Sequence, residues 1–153
     1  MKSVIFFYIS VFCLFTACSS SDTTETTEPA TIDEPTESYD LPAVLDHHLQ
    51  AFMANDLDEV LADYTDESIL MTPDSTYTGL DAIGGLFTAL FPLFPTEGTT
   101  INPDKIEFSE NMAYLVWHGE SPVVSVPLGT DTFIFKDGKI HRQTFAGIIN
   151  PKE

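Results

Sequence analysis

The stretch AFMANDLDEVLADYTDESILMTPDSTYTGLDAI, residues 51–83, decides the fold, because it links helices and strands with almost no slack. Asp56 is a typical helix N-cap and Glu59 follows three positions later, which predicts a short helix from Leu57. Apolar residues recur at three- and four-residue steps just before this cap and predict the buried face of an earlier helix: Leu41, Val44, Leu45, Leu49 and Phe52. Two helices so close in sequence must pack at an angle on one core.

The second half of the stretch predicts a strand, a turn and a third helix. The strand covers residues 67–71, and Pro73-Asp74-Ser75 form the turn. Residues 82–91 then place apolar side chains at helical spacing, and Pro92 ends the helix.

The remainder of the chain predicts extended structure. Two strands cover residues 105–108 and 112–120, and a hairpin joins residues 130–136 to 139–148 across Asp137-Gly138. Three helices followed by a mostly antiparallel sheet belong to the α+β class. Such a sheet has to curl around the helices to cover them, which predicts a cone with an open mouth.

This order of elements carries a family resemblance. The quoted stretch resembles the SnoaL-like and ketosteroid-isomerase-like branch of the nuclear transport factor 2-like (NTF2-like) superfamily, with its DLD link, proline turn and YxGxxxI helix start. Residues 131–147, DTFIFKDGKIHRQTFAG, are similar to the superfamily's final hairpin. The resemblance spans residues 41–149 and implies an NTF2-like cone of three N-terminal helices on a curved sheet. Because one fold hosts many activities, the resemblance implies much less about function than about fold.

Composition indicates a single globular domain and limits the partners. The chain has 153 residues, 43% of them hydrophobic, which is enough for a real core. Its formal charge is −18, from 24 acidic against 6 basic residues. This excess repels nucleic acid, so we expect no nucleic-acid partner.

The first 17 residues resemble a bacterial lipoprotein signal peptide. The apolar run of residues 4–15 is too short to span a bilayer but suits a signal sequence. Leu14-Phe15-Thr16-Ala17-Cys18 resembles a lipobox, whose cysteine is lipidated and becomes the new N-terminus. An ordinary signal peptide with a free thiol at Cys18 is the alternative.

A tether then leads to the domain. Residues 18–40 are rich in Ser, Thr, Pro and acidic residues and contain no basic residue, which predicts a disordered spacer. Residues 41–153 form the SnoaL-like domain. We therefore expect a protein lipid-anchored to a membrane of the bacterial cell envelope.

The catalytic hypothesis rests on three residues: His48, Asp131 and His118. His48 lies within the apolar stripe of the first helix, and the resemblance places it where ketosteroid isomerases carry an oxyanion-binding tyrosine. Asp131 aligns with their oxyanion-hole aspartate, and burial would raise its pKa. Thr72 takes the place of their general base, and since threonine accepts no proton at neutral pH, ketosteroid isomerisation is not expected. A core role for His48 and a solvent-facing Asp131 are the alternatives.

His118 offers a replacement base, because the resemblance to SnoaL-like cyclases implies a histidine and an aspartate from these two sheet regions. His118 shares a strand face with Tyr114, whereas Leu115 and Trp117 share the other face. Alternation does not reveal which face looks into the cone, so a solvent-facing His118 is equally compatible with the sequence.

Further residues are expected to line the cone. A three-residue turn at 136–138 would bring Gln143 and Phe145 onto the face of Asp131, whereas a two-residue turn would separate Asp131 from Gln143. The other predicted ligand-binding residues are Tyr64, Thr72, Leu90, Phe94 and Trp117. No metal or cofactor is predicted, because the four histidines lack ligand spacing and no phosphate-binding glycine loop is present.

The sequence leaves three functions open. The first is a membrane-tethered domain that binds a small apolar molecule, which the missing base favours. The second is an isomerase, cyclase or hydratase in which His118 or His48 moves a proton and Asp131 stabilises the intermediate. The third is a protein-interaction module that uses the outer sheet face, through which this superfamily often dimerises. The resemblance thus also implies a homodimer.

Overall fold

The computed structural model describes residues 39–153. The predicted signal peptide, the lipidation site at Cys18 and nearly all of the acidic tether lie outside these residues. Among the helices that it describes, none combines the length and the apolar character needed to cross a bilayer.

Three helices precede the long strands. They are α1 (Leu41–Ala54), α2 (Leu57–Ala62) and α3 (Gly79–Leu90), and a single 3₁₀ turn (Phe91–Leu93) follows α3. The start of α2 agrees with the prediction, whereas α3 begins at Gly79 rather than at Ala82. Thr78, the last residue of a strand, is its N-cap residue and makes no side-chain cap hydrogen bond.

Aspartates fix where the first two helices begin. The side chain of Asp40 accepts a hydrogen bond from the Ala43 N–H at 3.2 Å, and Asp56 accepts one from the Glu59 N–H at the same distance. The predicted cap at Asp56 is therefore confirmed. The Glu59 carboxylate does not complete a capping box; it contacts His47 Nε2 at 3.2 Å.

Six strands form one sheet. They are β1 (Ile69–Met71), β2 (Thr76–Thr78), β3 (Thr100–Ser109), β4 (Met112–Glu120), β5 (Val124–Lys136) and β6 (Lys139–Pro151). Their order is β2-β1-β6-β5-β4-β3, and every pairing is antiparallel except the parallel one between β1 and β6. The predicted α+β class is confirmed, although β3 and β5 begin earlier than the sequence indicated.

A bulge in the last hairpin sets which side chains face the helices. Asp137 and Gly138 form a two-residue turn with φ of 53° and 70°, the backbone that a type I′ turn requires. Ile134 pairs with Arg142 and Phe135 with Ile140, so His141 is an extra residue on β6. The alternation therefore reverses at His141, so Ile140 before it and Gln143 after it both face inward.

The core lies between the helices and the concave face of the sheet. Its largest fully buried side chains come from α1, α3 and strands β4 to β6: Leu45, Ile83, Leu115, Phe133, Phe135 and Ile140. Register shifts interrupt the β3–β4, β4–β5 and β5–β6 pairings, and such bulges bend strands. The bent sheet wraps the helices and leaves an open space at one side of the core.

Candidate functional site

A cavity of about 480 Å³ lies between α1, α3 and the concave face of the sheet. Its wall is mostly apolar and aromatic, and the exposed residues Pro73 and Asp74 border it, so it reaches solvent there. Small-molecule sites have this size and this character, with a few polar groups that fix orientation. The apolar wall includes Leu49, Phe52, Leu70, Leu86, Phe87, Leu115 and Phe133.

The cavity collects most of the residues that the sequence singled out. All of them except Tyr64 and His118 border it: His48, Thr72, Leu90, Phe94, Trp117, Asp131, Gln143 and Phe145. Tyr64 is buried directly behind Gln143 and His48. These bordering residues come from α1, α3 and strands β4, β5 and β6, together with Thr72 directly after β1 and Phe94 directly after the 3₁₀ turn.

Asp131 is the polar centre of the cavity. Trp117 donates its Nε1–H to Oδ2 at 2.8 Å, and the Gln143 amide donates to Oδ1 at 2.9 Å. Burial raises the pKa of Asp131, while these two hydrogen bonds and the charge of His48 act in the opposite direction. A carboxyl group held in this way can bind a ligand as a hydrogen-bond donor or as an acceptor.

Gly129 determines where the indole of Trp117 lies. A Cβ atom added at Gly129 would stand 2.8 Å from Trp117 Nε1, closer than real side-chain contacts allow. The indole therefore rests directly on the backbone of β5. That close approach brings Nε1 within hydrogen-bonding distance of Asp131, two residues further along the same strand.

A hydrogen-bond chain continues from Asp131 to α1. Tyr64 donates its hydroxyl proton to Gln143 Oε1, and its oxygen lies 3.4 Å from His48 Nε2. Burial raises the pKa of Tyr64 well above its usual value, and the charges of Asp131 and Asp63 add to this effect. Tyr64 thus keeps its proton. Because that proton goes to Gln143, Nε2–H of His48 must be the donor to the Tyr64 oxygen.

The contact between Gln143 and Asp131 was predicted to depend on a three-residue turn at 136–138, and that condition was wrong. The turn has two residues, which should have separated Asp131 from Gln143, yet the two side chains are hydrogen-bonded. The bulge at His141 shifts β6 by one residue and so restores the shared face. Phe145, directly opposite Asp131 in the ladder, lies on the same side.

His118 does not join this site. It lies on the outer face of β4, where it is half-exposed and contacts Asp104 at 2.9 Å. Leu115 and Trp117 occupy the inner face. The predicted pairing of His118 with Asp131 is therefore not formed, because the two residues are on opposite sides of the sheet.

Asp63 is the site residue that the sequence analysis missed. It follows α2, is buried, and lies between two neighbouring histidines. His47 Nδ1 is 2.9 Å from its Oδ1, and His48 Nδ1 is 3.5 Å from its Oδ2. The hydrogen bond to Asp63 raises the pKa of His47, as do the charge of Asp63 and the contact with Glu59.

Within residues 39–153, no group of three or more His, Cys, Asp or Glu side chains has the arrangement to hold a metal ion. Asp63 is hydrogen-bonded to His47, and His48 Nδ1 lies near its other oxygen at 3.5 Å.

Comparison with known proteins agrees with this architecture. The model of the SnoaL-like domain family matches residues 45–143. An NTF-2 like protein of unknown function from Burkholderia xenovorans LB400 is 19% identical with a TM-score of 0.60, over 74% of this chain and 85% of its own. No curated protein matches the sequence.

Two further solved structures carry activity names. A candidate polyketide cyclase from Sinorhizobium meliloti is 19% identical with a TM-score of 0.59, over 69% of this chain and 95% of its own. A candidate ketosteroid isomerase from Kribbella flavida DSM 17836 is 11% identical with a TM-score of 0.59, over 74% and 81%. At such identities the likeness concerns the fold alone. Together with the family match, it establishes that the chain belongs to the SnoaL-like domain family and has the NTF2-like cone fold.

Proposed function

We propose that the domain binds a small, uncharged, largely apolar molecule in its cone, with Asp131 as the polar anchor. The observation that carries this proposal is the buried carboxyl of Asp131, held by Trp117 and Gln143 at the polar end of a cavity of about 480 Å³. The apolar wall would supply affinity, and the carboxyl group would select a ligand with a hydroxyl or carbonyl oxygen.

Charge supports an uncharged ligand. Of the described residues, those that line the cavity include Asp74 and Asp131 but no lysine or arginine. An anionic ligand would have to bury its charge beside Asp131 with no lysine or arginine to pair with it, which is strongly unfavourable. The formal charge of −18 on the whole chain would also repel anions before they reached the cavity.

The proposed binding takes place at a membrane surface. The lipobox-like sequence before Cys18 supports an acyl anchor in the bacterial cell envelope, and the acidic residues 18–40 support a solvated spacer. Several acyl chains, at about 0.8 kcal/mol for each buried CH₂ group, would hold the domain firmly at the bilayer.

An isomerase, cyclase or hydratase activity is the second candidate. The hydrogen-bond chain from His48 through Tyr64 and Gln143 to Asp131 favours it, because the chain puts a proton donor and a carboxyl group on one cavity. With His118 on the outer face, His48 is the histidine that would move the proton.

We propose that the domain forms a homodimer. The outward positions of β5 and β6 are largely uncharged, and Leu128, Ile134 and Ile148 there are 44%, 38% and 54% exposed. In a chain as acidic as this one, two copies would meet with least repulsion across an uncharged face. A protein-interaction role would use the same face.

Native mass spectrometry of residues 38–153, produced without the anchor, tests the binding proposal. Leu90→Trp would fill part of the cavity, whereas Ala89→Trp places the same side chain on the exposed face of α3. We expect a retained small molecule in the wild type and in Ala89→Trp but not in Leu90→Trp. Equal retention in all three proteins would contradict binding in the cone. The same spectra give the number of subunits.

A further inference from the structure

Two adjacent histidines of α1 share one buried carboxylate. His47 is 45% exposed, His48 is 3% exposed, and Asp63 lies between them with 9% of its side chain exposed. His47 Nδ1 is 2.9 Å from Oδ1 and His48 Nδ1 is 3.5 Å from Oδ2. One carboxylate thus connects a ring in contact with solvent to a ring on the cavity.

The hydrogen-bond directions assign the protons on His47. Its Nδ1 faces Asp63 and its Nε2 faces Glu59 Oε2 at 3.2 Å. A carboxylate oxygen accepts but does not donate, so both ring nitrogens of His47 carry a proton in this arrangement. The hydrogen bond to Asp63, which raises the pKa of His47, acts in the same direction. His47 can therefore release a proton toward Asp63 and regain one from water.

The directions also assign the exchanging nitrogen of His48. Its Nε2 donates to Tyr64, as derived above, and the rings of Tyr64, Phe87 and Phe133 surround it at centroid distances of 5.4, 5.8 and 5.7 Å. Its Nδ1 is buried and has no aligned hydrogen-bond partner, although Asp63 stands 3.5 Å away. A small approach of Asp63 in its protonated form would give this nitrogen a donor.

We propose that His47 and Asp63 form a proton pathway between solvent and Nδ1 of His48. One proton leaves His47 Nδ1 for the near oxygen of Asp63, a half-turn of the protonated carboxyl group about its Cβ–Cγ bond brings that O–H to face His48, and the same proton passes to His48 Nδ1. Water then returns a proton to His47. The net change is one proton moved from solvent to His48, with Asp63 again a carboxylate, and each step is reversible.

This pathway gives His48 a supply of protons that does not cross the cavity. His48 borders the cavity, so a ligand acceptor that replaced the Tyr64 oxygen at Nε2 would take a proton there, and the pathway would restore a proton to the ring at Nδ1. That use rests on the proposed function, because only a ligand in the cone offers a group to protonate. The pathway itself does not depend on a ligand. The charged or titratable groups that face it are Glu59, Asp63, Tyr64 and, from the sheet, Asp131.

Exchange of the His48 ring protons with water tests the pathway. The full chain, labelled with ¹⁵N in histidine and tryptophan, allows exchange of His48 Nδ1 between its bare and protonated forms to be followed by ¹⁵N relaxation dispersion, and exchange of the Trp117 Nε1–H with water to be followed by saturation transfer. His47→Gln keeps a donor to Asp63 but cannot relay a proton, and Asp63→Asn cannot accept one. We expect either change to slow exchange at His48 Nδ1 at least about tenfold. Exchange at Trp117 Nε1, which is off the pathway, should not change.

The outer face offers a matched control. His118 is 47% exposed and contacts Asp104 at 2.9 Å, much as His47 contacts Asp63, but it lies away from the cavity. His118→Gln and Asp104→Asn should therefore leave the His48 rate unchanged. If Asp63→Asn fails to fold, His47→Gln still decides, because His47 is half-exposed. A wild-type rate at His48 Nδ1 in His47→Gln would overturn the pathway.

The same variants separate this inference from the proposed function. His47→Gln should retain any cavity ligand in native mass spectra, because His47 does not border the cavity. Slowed exchange without any bound ligand would support the pathway and count against the binding proposal. A bound ligand together with unchanged exchange at His48 Nδ1 would support the binding proposal and overturn the pathway.

Discussion

Replacing Gly129 by alanine should disturb the polar end of the cavity through Trp117. The new Cβ atom would stand 2.8 Å from the indole Nε1, so the ring has to tilt away from β5. The cavity gives the ring room to move, but tilting breaks its hydrogen bond to Asp131 Oδ2. The substitution therefore tests whether close packing on glycine holds the anchor of the site.

The magnitude follows from three contributions. Overpacking destabilises by about 1–3 kcal/mol, and loss of a hydrogen bond to a charged group adds about 1.5–3 kcal/mol. Replacing glycine within a strand returns roughly 0.5–1 kcal/mol of backbone entropy. The net loss should be about 3 kcal/mol, which for a domain of this size lowers Tm by roughly 10 °C.

Thermal melts and tryptophan spectra measure this change, because Trp117 is the only tryptophan in the sequence. Gly85→Ala is the matched control, since a Cβ atom there would meet nothing within 4 Å. On an exposed helix surface it should stabilise by about 0.5–1 kcal/mol. A Gly129→Ala protein with the wild-type Tm and Trp117 spectrum would refute the packing argument.

Three further changes have defined outcomes. Burial raises the pKa of Asp131. The stability that its protonation contributes is therefore fully present below the unfolded-state pKa of about 3.9 and is lost as the pH rises through the folded-state pKa. Asp131→Asn should therefore gain stability relative to wild type in urea titrations as the pH rises above about 4; a difference independent of pH would contradict the raised pKa. Tyr64→Phe leaves Gln143 Oε1 buried without its donor and should lower the free energy of unfolding by about 1–3 kcal/mol. An unchanged free energy of unfolding would contradict the hydrogen bond from Tyr64 to Gln143. Ile134→Lys, on the uncharged outer face, should produce monomers in sedimentation experiments, and an unchanged mass would exclude that face as the interface.

Local signals in the sequence were enough to predict the fold. Asp56 as a cap, the apolar spacing of α1 and the Asp137-Gly138 turn each act over a few residues, so their outcome depends little on the rest of the chain. The family model and the solved structures agree with the predicted cone. Strand limits were less accurate, because pairing with β4 extends β3 through Pro103 despite that residue's lack of an N–H.

The site could be predicted only in part, because it depends on register and on helix angles. Alternation along β4 assigns His118 and Trp117 to opposite faces, but only packing against the helices decides which face is inside. The bulge at His141 leaves no clear signal in the sequence, yet it brings Gln143 to Asp131. The position of Asp63 beside the α1 histidines depends likewise on how α2 packs against α1.

The central claim is that the cone binds uncharged apolar molecules at Asp131. The most direct measurement is the Trp117 indole signal in ¹H–¹⁵N spectra of wild type and Asp131→Leu, titrated with matched pairs of aromatic fragments that carry either a hydroxyl or a carboxylate group. We predict that hydroxyl fragments shift the Trp117 signal of the wild type, that carboxylate fragments do not, and that Asp131→Leu weakens the response. Preference for the carboxylates, or no shift of Trp117 with any fragment, would contradict the account.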